Sequence, residues 1–356
     1  MNGKAIDQPA PVRQGEELDL ERLRGFLADK FGDHPLTLAQ FPRGYSNLTY
    51  FLKFGDREWV LRRPPIGADI KTAHDMGREF RVLSHLAERV SFVPRPILYE
   101  PNAEIIGAPF YIMERIRGVI LRATPPRDVV LDEALMKNLS ESFVNHLVEL
   151  HGVDYRAAGL ETLGRPEGYI RRQVEGWSKR YFKAKTHELP EMEQAAAWLR
   201  DHMPSETEAT LIHNDYKYDN LVLDPRNLSR IIAVLDWEMA TVGDPFMDLG
   251  TSLGYWAESG DPKPLKGFGL TALAGNLNRE EVWRRYCTLS GRKAADPVFY
   301  FVFGLFKLAV IGQQIYARYH HGLTRDSRFA DLIHLIRNCA EMAVRAIKNH
   351  RISGLY

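Results

Sequence analysis

The sequence contains few cysteines: only 2 occur among 356 residues. Cys287 and Cys339 lie far apart, each inside an apolar helical pattern. Small secreted domains that depend on disulfides carry more cysteines at closer spacings. We therefore expect two buried thiols rather than a disulfide, and a reducing, cytoplasmic environment.

The sequence also lacks an excess of charge of either sign. It has 47 Lys and Arg residues against 46 Asp and Glu residues, so the formal net charge is +1. A protein that binds nucleic acid without sequence preference usually presents a clearly basic surface. Nucleic acid is therefore not an expected partner.

No long uninterrupted hydrophobic run is present. Residues 1–17 are polar and contain prolines, with no apolar stretch behind a basic end, which predicts a flexible leader rather than a signal peptide. The apolar run at 297–311 is interrupted by Lys307 and is shorter than the roughly 20 residues that a membrane span needs. We expect a buried helix there, a soluble protein and no membrane partner.

The chain does contain enough apolar material for a sizeable core. Hydrophobic residues make up 45% of it, and its length fits two domains or one unit of two lobes. The first third predicts short strands with one prominent helix, and the remainder predicts long helices with two short strands among loops. The predicted fold class is α+β, with a small strand-rich N-terminal lobe at 18–115 and a large helical C-terminal lobe at 116–356. Ligands are expected in the cleft between such lobes.

The most informative segment is the run HNDYKYDN at 213–220, which is followed by an apolar strand and then Asp236. Transfer of a γ-phosphoryl group depends on an oriented metal ion, neutralised charge and a positioned acceptor hydroxyl. Asp215 can accept or orient the hydroxyl proton, and the side-chain oxygens of Asn220 and Asp236 suit magnesium. The segment predicts an extended loop, and the strand at 231–235 would deliver Asp236 to the same place.

Each of these residues has a structural alternative. Asp215 could cap a turn, Asn220 could lie in a hairpin, and Asp236 could be an N-cap at a strand end. A match to His-x-Asp-x-x-x-x-Asn arises by chance in roughly one per cent of chains of this size, given ordinary residue usage. An apolar strand that ends in Asp about sixteen residues later makes coincidence rarer, so the combination favours a functional interpretation.

This segment resembles the catalytic loop of the aminoglycoside phosphotransferase family, which shares its fold with protein kinases and choline kinase. It is similar above all to the branch whose domain is fused to acyl-CoA dehydrogenases, and the resemblance extends over about 36–250. The resemblance implies a bilobal protein-kinase-like fold. It also implies an ATP- and magnesium-dependent phosphotransferase that acts on a small-molecule hydroxyl acceptor.

The same resemblance assigns roles to individual residues. It implies that Asp215 is the catalytic carboxylate and that Asn220 and Asp236 are magnesium ligands. It implies that His213 braces the loop instead of acting as a base. Lys217 matches a lysine that many protein kinases place near the transferred phosphate. A solvated loop lysine is the alternative for Lys217.

The tripeptide Gly-Asp-Pro at 243–245 predicts the start of a helix, with Asp244 as the N-cap and Pro245 as the first helical residue. The family that this chain resembles has the same signature, in which the aspartate fixes the catalytic loop. Asp244 is therefore predicted to support the site structurally.

The nucleotide is expected to bind the N-terminal lobe. Gly44, Ser46 and Asn47 fall between two predicted strands. A glycine there lets backbone amides approach phosphates, and Ser46 adds a donor. Alone this run is an ordinary turn, but its position between these strands favours phosphate binding.

The strand at 59–62 occupies the place of the kinase strand that ends in a phosphate-binding lysine, but here that residue is Arg62. Arginine stays charged and can grip phosphate oxygens with two donors, so the role survives the change. Arg63, on the opposite face of the strand, is the alternative. Glu79 on the following helix is predicted to orient Arg62, with a surface charge pair along the helix as the alternative.

Residues 110–115 look like the family's hinge, whose backbone binds the adenine, and this implies nucleotide contacts at Met113 and Glu114. An ordinary edge strand is the alternative. Because the purine is read largely by backbone groups, GTP stays open as a donor beside ATP.

The acceptor is expected to be a small molecule, because no long segment follows Asp236 and no Ala-Pro-Glu motif closes one, as in protein kinases. Basic and aromatic residues interleave at 169–185, including Arg172 and Trp177. Such a surface suits an anionic acceptor better than a polycationic aminoglycoside, with a solvated helix face as the alternative. The resemblance to the dehydrogenase-fused branch suggests a hydroxy acid or a hydroxyacyl thioester.

Three residues beyond the metal strand, Tyr255, Trp256 and Glu258, are predicted to be further acceptor contacts, with ordinary packing as the alternative. Two other classes of function stay open. A nucleotide-binding regulatory pseudokinase is disfavoured because the three motif residues are intact. A protein Ser/Thr kinase is disfavoured by the missing activation segment.

Overall fold

The computed structural model describes residues 6–41, 47–65, 75–124, 129–205, 207–293, 296–324 and 326–356. The chain forms two compact units. The first comprises Met1–Val119, Val222–Arg226 and Ile232–Glu238, and the second comprises Ile120–Leu221, Asn227–Ile231 and Met239–Tyr356.

The first unit is built on a five-stranded antiparallel sheet in the order β1-β2-β3-β5-β4. Two helices accompany this sheet. The elements of this part are α1 (Leu20–Phe31), β1 (Leu36–Gln40), β2 (Leu48–Phe54), β3 (Arg57–Arg63), α2 (Met76–Leu86), β4 (Pro96–Glu100) and β5 (Phe110–Glu114).

The core of the first unit follows from the alternation of β2. Tyr50, Leu52 and Phe54 point to one face and are fully buried, and Leu23 and Leu27 of α1 belong to the same hydrophobic cluster. Period-two burial is what a strand with one covered face requires. The short strands and the prominent helix that the sequence predicted for this part of the chain are therefore present in the structure.

Part of the segment before α1 is hydrogen-bonded to the sheet. Ala10 and Gln40 exchange backbone hydrogen bonds of 2.8 Å in each direction. The amide of Arg13 donates to Oε1 of Gln40 at 2.9 Å, and the hydroxyl of Tyr50 donates to the carbonyl of Glu16. These contacts lie within the residues for which the sequence predicted a flexible leader.

Helix α2 places a carboxylate inside the first unit. Its N-cap is Asp75, whose side chain accepts from the amide of Arg78 at 2.9 Å. Its buried face carries Val82, Leu83 and also Glu79, which is only 1% exposed. A glutamate on the apolar face of a helix needs a partner, because burying an unpaired charge is costly.

The second unit is mainly helical, so the predicted α+β class is confirmed. Its helices are α3 (Glu133–His151), α4 (Tyr169–Ala184), α5 (Pro190–Asp201), α6 (Pro245–Gly254), α7 (Lys263–Lys266), α8 (Arg279–Ser290), α9 (Pro297–His320) and α10 (Leu332–Asn349). The short strands β6 (Thr210–Ile212) and β9 (Thr241–Gly243) pair antiparallel. The strands β7 (Leu221–Asp224) and β8 (Asn227–Val234) form a separate two-stranded sheet, in which most of β7 and the end of β8 belong to the first unit.

Helix α9 runs through the core of the second unit. It is 24 residues long, more than the apolar run had suggested, and is long and apolar enough to cross a membrane. However, 83% of its most apolar window is buried inside the protein, as in the core helix of a globular unit. Gly250 of α6 and Gly304 of α9 face each other so closely that a side chain on either would collide with the opposite backbone.

Candidate active site

The segment that carries the motif follows β6 and ends in a single 3-10 turn, Tyr218–Asn220. The His213 side chain is fully buried, and its Nδ1 accepts a hydrogen bond of 3.3 Å from the amide of Asp215. The backbone amides of His213 and Asn214 each donate to the carboxylate of Asp248 at 2.7 Å. The loop is therefore fixed by a hydrogen bond to the His213 side chain and by hydrogen bonds from its backbone to Asp248.

The side chains of Asn220 and Lys217 converge at Asp215. The amide nitrogen of Asn220 donates to Oδ2 of Asp215 at 2.9 Å and to its carbonyl oxygen at 2.8 Å. Nζ of Lys217 lies 3.0 Å from the same Oδ2, and it also stands 4.7 Å from the ring centre of Tyr255. Burial lowers the pKa of Lys217, but the nearby carboxylates of Asp215 and Asp219 outweigh it, so the net pKa is raised and the ammonium form is held.

Asp248 is a residue of this site that sequence reasoning did not single out. It lies on α6, is fully buried, and its Oδ2 is 3.1 Å from Nε2 of His151. Burial raises the pKa of Asp248. The hydrogen bond and charge of His151, together with the nearby His213, lower it by more, so the pKa lies below its usual range. The signal was its position four residues after Asp244, one helical turn into the same helix.

Asp244 caps the helix that carries Asp248. Its Oδ1 accepts from the amides of Phe246 at 2.9 Å and Met247 at 3.0 Å, and its Oδ2 accepts from the hydroxyl of Thr207 at 2.6 Å. The predicted N-cap and the predicted Pro at the first helical position are both confirmed.

In the first unit a buried ion cluster joins β3, α2 and the residues after β8. Nη1 of Arg62 donates to Oε1 of Glu79 at 2.6 Å, and Nη2 donates to Oδ1 of Asp236 at 2.8 Å. Burial lowers the pKa of Arg62, but Glu79 and Asp236 among its neighbours outweigh this and raise it. Asp236 has a φ of 68°, a left-handed conformation that few non-glycine residues adopt and that is held here by its neighbours.

Arg63 is placed differently. Its Nη1 donates to the carbonyl of Ile106 at 2.8 Å and its Nε donates to the carbonyl of Pro64. Those contacts tie β3 to a loop of the same unit. Of the two arginines, Arg62 is the one that contacts Glu79 and the predicted magnesium ligand Asp236.

Asn47 is the described residue of the predicted phosphate-binding turn, because Gly44 and Ser46 lie outside the described residues. Asn47 is 2% exposed, and its side-chain amide donates to Oε2 of Glu238 at 2.6 Å. Nη1 of Arg78 donates to the carbonyl of Glu238 at 2.8 Å. Glu238 thus connects the turn with α2, a role that sequence reasoning missed.

The predicted hinge lies on β5. Met113 is buried and pairs with Val60 of β3. The amide of Glu114 donates to the carbonyl of Arg95 at 2.9 Å, so this amide already has a partner inside the sheet. The hinge assignment for these two residues stays a prediction.

The five predicted acceptor contacts lie in four different surroundings. Tyr255 lies against Lys217, as described above. Trp256 is 3% exposed, and its Nε1 donates to the carbonyl of Leu277 at 2.9 Å. Glu258 accepts from the amide of Arg279 at 2.9 Å and from the hydroxyl of Ser353 at 2.6 Å. Arg172 and Trp177 line a cavity that is described below.

The chemistry of the donor set is compatible with magnesium. The side-chain nitrogen of Asn220 donates its hydrogen bonds to Asp215. The side-chain oxygen of Asn220 is therefore the atom that suits a hard cation. Asp236 keeps 30% of its side chain exposed beside Arg62. Carboxylate and amide oxygens are the ligands that magnesium prefers. The two residues therefore fit the ion, each within its own unit.

A family model described as the phosphotransferase enzyme family (APH) matches residues 37–287. The chain belongs to this family. Members of the APH family are kinase-like enzymes of small molecules, and the family assignment predicted from the catalytic-loop motif is confirmed. The match begins one residue into β1 and ends inside α8, so it includes both units.

This APH-family chain is similar to segments of two longer proteins. It is 36% identical over 348 residues to acyl-CoA dehydrogenase family member 10 of Mus musculus, covering 95% of this chain and 32% of that protein. It is 37% identical over 319 residues to acyl-CoA dehydrogenase family member 11 of Rattus norvegicus, covering 86% of this chain and 40% of that protein. The chain therefore spans less than half the length of these relatives.

Solved structures show the same fold. A Ralstonia eutropha JMP134 protein assigned to the aminoglycoside phosphotransferases is 30% identical, with a TM-score of 0.79 over 94% of this chain and 99% of that one. An aminoglycoside phosphotransferase solved with GDP and kanamycin is 16% identical, with a TM-score of 0.62 over 90% of this chain and 98% of that one. The predicted kinase-like fold is confirmed.

Proposed function

We propose that this chain is an ATP- and magnesium-dependent phosphotransferase that moves the γ-phosphate to a hydroxyl group of a small molecule. The observation that carries the proposal is the hydrogen bond from Asn220 to Asp215, on a loop whose backbone is held by the buried Asp248. A carboxylate fixed in this way is ready to orient an acceptor hydroxyl.

In this mechanism Asp215 accepts the proton of the acceptor hydroxyl. The hydroxyl oxygen forms a bond to the γ-phosphorus while the bond to the β–γ bridging oxygen breaks, leaving ADP. Lys217, 3.0 Å from Asp215, contributes positive charge beside the transferred group. His213 and Asp244 act as supports: one braces the loop, and the other caps the helix that carries Asp248.

We also propose residues that would hold the metal and the nucleotide. Asn220 and Asp236 would hold magnesium, which neutralises phosphate charge when it is bound. Arg62, oriented by Glu79, would contact a phosphate oxygen of the nucleotide. Asn47, Met113 and Glu114 are proposed nucleotide contacts, together with Gly44 and Ser46. The purine is proposed to be adenine, with GTP as the alternative donor.

The acceptor is proposed to be an anionic hydroxy acid or a hydroxyacyl thioester. Support comes from the basic residues of α4 and from the acyl-CoA dehydrogenase names of the relatives that contain a similar segment. Tyr255 is proposed to lie on the acceptor side of Asp215. A cytoplasmic location is proposed on the basis of the two free cysteines.

The test is magnesium-dependent release of ADP from ATP across a panel of hydroxylated acceptors. The panel spans hydroxy acids, their thioesters, amino alcohols, sugars and aminoglycosides. We expect an acceptor-stimulated signal that Asp215→Ala abolishes while ATP still stabilises the protein thermally. Unchanged turnover in Asp215→Ala would contradict the assignment. Thermal stabilisation by ATP without turnover of any acceptor would favour a regulatory nucleotide-binding module instead.

A further inference from the structure

A cavity of about 390 Å³ lies within the second unit, on the side of α4 and α9. Its size is in the range of small-molecule sites. Ten described residues line it: Arg165, Tyr169, Arg172, Gln173, Trp177, Arg180, Asn214, Met239, Thr241 and Lys307. Four of these carry a positive charge, and none of the ten is acidic.

The positive charges are arranged as an exposed rim and a buried floor. Arg165, Arg172 and Arg180 are exposed, and the guanidinium of Arg180 stands 4.6 Å from the ring centre of Trp177. Arg172 donates to the carbonyls of Glu167 and Arg165, so it braces the loop before α4. Arg165 and Arg180 remain as the rim cations that are placed to contact a ligand.

Lys307 forms the floor. It is 3% exposed, lies on the apolar helix α9, and its Nζ donates to the carbonyl of Asn214 at 2.9 Å. Nζ also lies 5.7 Å from the ring centre of Trp177. Burying a lysine among apolar residues is costly, and a ligand of opposite charge in the cavity would offset that cost.

The back wall of the cavity is connected to the candidate catalytic carboxylate. Asn214 lines the cavity and immediately precedes Asp215 in the chain. The hydroxyl of Tyr169 donates to Oδ1 of Asn214 at 3.2 Å, and the side-chain amide of Asn214 donates to the carbonyl of Met239. A ligand that contacts Lys307 and Tyr169 would therefore lie close to the loop that holds Asp215.

The first turn of α4 adds to the positive potential. This 16-residue helix begins at Tyr169 after Gly168, and it has no side-chain cap and no acidic residue in its first turn. Tyr169, Arg172 and Gln173 of its first turns line the cavity. The partial positive charge at the start of a helix favours anions nearby.

We propose that this cavity binds the anionic group of the acceptor, a carboxylate or a phosphate, between Arg165 and Arg180 at the rim and Lys307 at the floor. The proposal rests on the proposed phosphotransferase function for the identity of the ligand as an acceptor. A polycationic acceptor such as an aminoglycoside is disfavoured at a cavity with four cations and no carboxylate among its lining residues.

The first experiment compares matched acceptors that differ in charge. A medium-chain hydroxy acid, its uncharged methyl ester and its CoA thioester are assayed with the full chain, and with Arg180→Gln and Arg171→Gln. Arg171 is on the same helix, but it pairs with Glu175 and does not line the cavity, so it is the matched control. We expect Arg180→Gln to raise KM for the anionic acceptor by roughly 10- to 100-fold, the worth of one charge-assisted hydrogen bond.

The same change should leave kcat/KM for the methyl ester unaltered, and Arg171→Gln should alter neither. A stronger effect on the hydroxy acid identifies a carboxylate as the ligand group, and a stronger effect on the CoA thioester identifies a phosphate. Equal use of acid, thioester and ester by the full chain, or an equal loss for all of them in Arg180→Gln, would overturn the proposal while leaving the phosphotransferase function intact.

A second measurement does not depend on turnover. Calorimetric binding of glutarate and of methyl phosphate is measured in the presence of saturating ADP and magnesium. We expect Arg180→Gln to weaken binding of at least one of the two anions by tenfold or more, and Arg171→Gln to preserve it. This result would support anion binding in the cavity even if no acceptor were phosphorylated. Absence of Arg180-dependent binding of both anions would refute it whatever the kinetics show.

Discussion

Nζ of Lys307 lies 2.9 Å from the backbone carbonyl oxygen of Asn214, the residue that precedes Asp215. Asn214 has a φ of 66°, a left-handed conformation that asparagine tolerates better than most residues. The hydrogen bond joins the long apolar helix α9 to the loop that carries the candidate catalytic carboxylate. Lys307 is therefore a positioning residue of the proposed reaction.

Replacement of Lys307 by Met should separate positioning from stability. The variant loses the hydrogen bond to Asn214 but also removes a buried charge, so the two effects on the free energy of unfolding partly cancel. We expect kcat to fall by at least tenfold while the midpoint of urea unfolding changes little. Lys348→Met, an exposed change on α10, is the control and should leave both quantities as they are. An unchanged kcat in Lys307→Met would contradict the positioning role.

The protonation of Lys307 should be visible in pH profiles. Burial lowers its pKa to about 8, although Asp248 and Asp215 act to raise it and Lys217 and Arg180 act to lower it. We expect KM for an anionic acceptor to rise above pH 8, as the ammonium group loses its proton. This rise should be absent in Lys307→Met.

The lowered pKa of Lys307 also predicts that folding stability increases with pH in the alkaline range. Between about pH 8 and the ordinary lysine pKa, the unfolded chain binds more protons than the folded one, so the contribution of Lys307 to folding stability increases with pH in that window. Below pH 8 the charged form is a constant cost to the folded state. Chemical unfolding of the full chain and of Lys307→Met over this range measures the difference, and parallel curves would show that the group does not titrate there.

Asp248→Asn should destabilise the protein and disorder the catalytic loop. The carboxylate accepts from two backbone amides and contacts His151, and a neutral amide replaces one acceptor with a donor. We expect a loss of about 2–4 kcal/mol in the free energy of unfolding, with a large loss of kcat. Asp244→Asn is the contrasting change, because asparagine is also a good N-cap.

The pH dependence of stability that Asp248 contributes has the same sign as that of Lys307, because both pKa values are lowered by folding, but it falls in the acidic range. Its pKa in the folded protein lies below the ordinary value, because the interactions with His151 and His213 outweigh the effect of burial. The stability it contributes is therefore complete above the ordinary aspartate pKa and is lost as the pH falls through the lowered folded pKa. Acid unfolding of the full chain and of Asp248→Asn should differ in steepness in that acidic range, and coincident curves would contradict this account.

Glu79→Gln should weaken nucleotide binding, because the Arg62 guanidinium loses its ion pair with Glu79. Arg62 would keep Asp236 as a partner, so its guanidinium would be drawn towards a residue that the proposal uses for magnesium. We expect KM for ATP to rise by roughly tenfold, equivalent to the loss of about one charged hydrogen bond. The exposed Glu88→Gln just beyond α2 should have no effect on KM for ATP.

Substitutions at Arg279 and Glu258 test whether Glu258 stabilises the fold through its ion pair with Arg279 or contacts the acceptor. Arg279 is 1% exposed, donates to the carbonyls of Trp256 and Ile352, and pairs with Asp261 and Glu258. Arg279→Met should cost about 3–5 kcal/mol of unfolding free energy, because it leaves two carboxylates without their cation. We expect Glu258→Gln to lower stability by less and to leave acceptor KM unchanged. A raised acceptor KM at normal stability would instead support the prediction that Glu258 contacts the acceptor.

The sequence by itself determined the class of the fold and the family to which the chain belongs. Alternation in β2, the cap at Asp244 and the long apolar pattern of α9 are local signals, because each depends on residues a few positions apart. The spacing of Asp215 and Asn220 is likewise local, and the two residues meet within one short loop. Local signals of this kind can be read before any contact between distant segments is known.

The tertiary structure alone decided which distant residues complete those local features. Lys307 is 93 positions from Asn214, Glu79 is 158 positions from Trp237, and Asp248 is 34 positions from Asn214. In the sequence Lys307 was only an interruption of an apolar run, and nothing indicated its contact with Asn214. The physical reason is that a buried charge is stable only beside its partner, and packing between helices, rather than local periodicity, determines which partner that is.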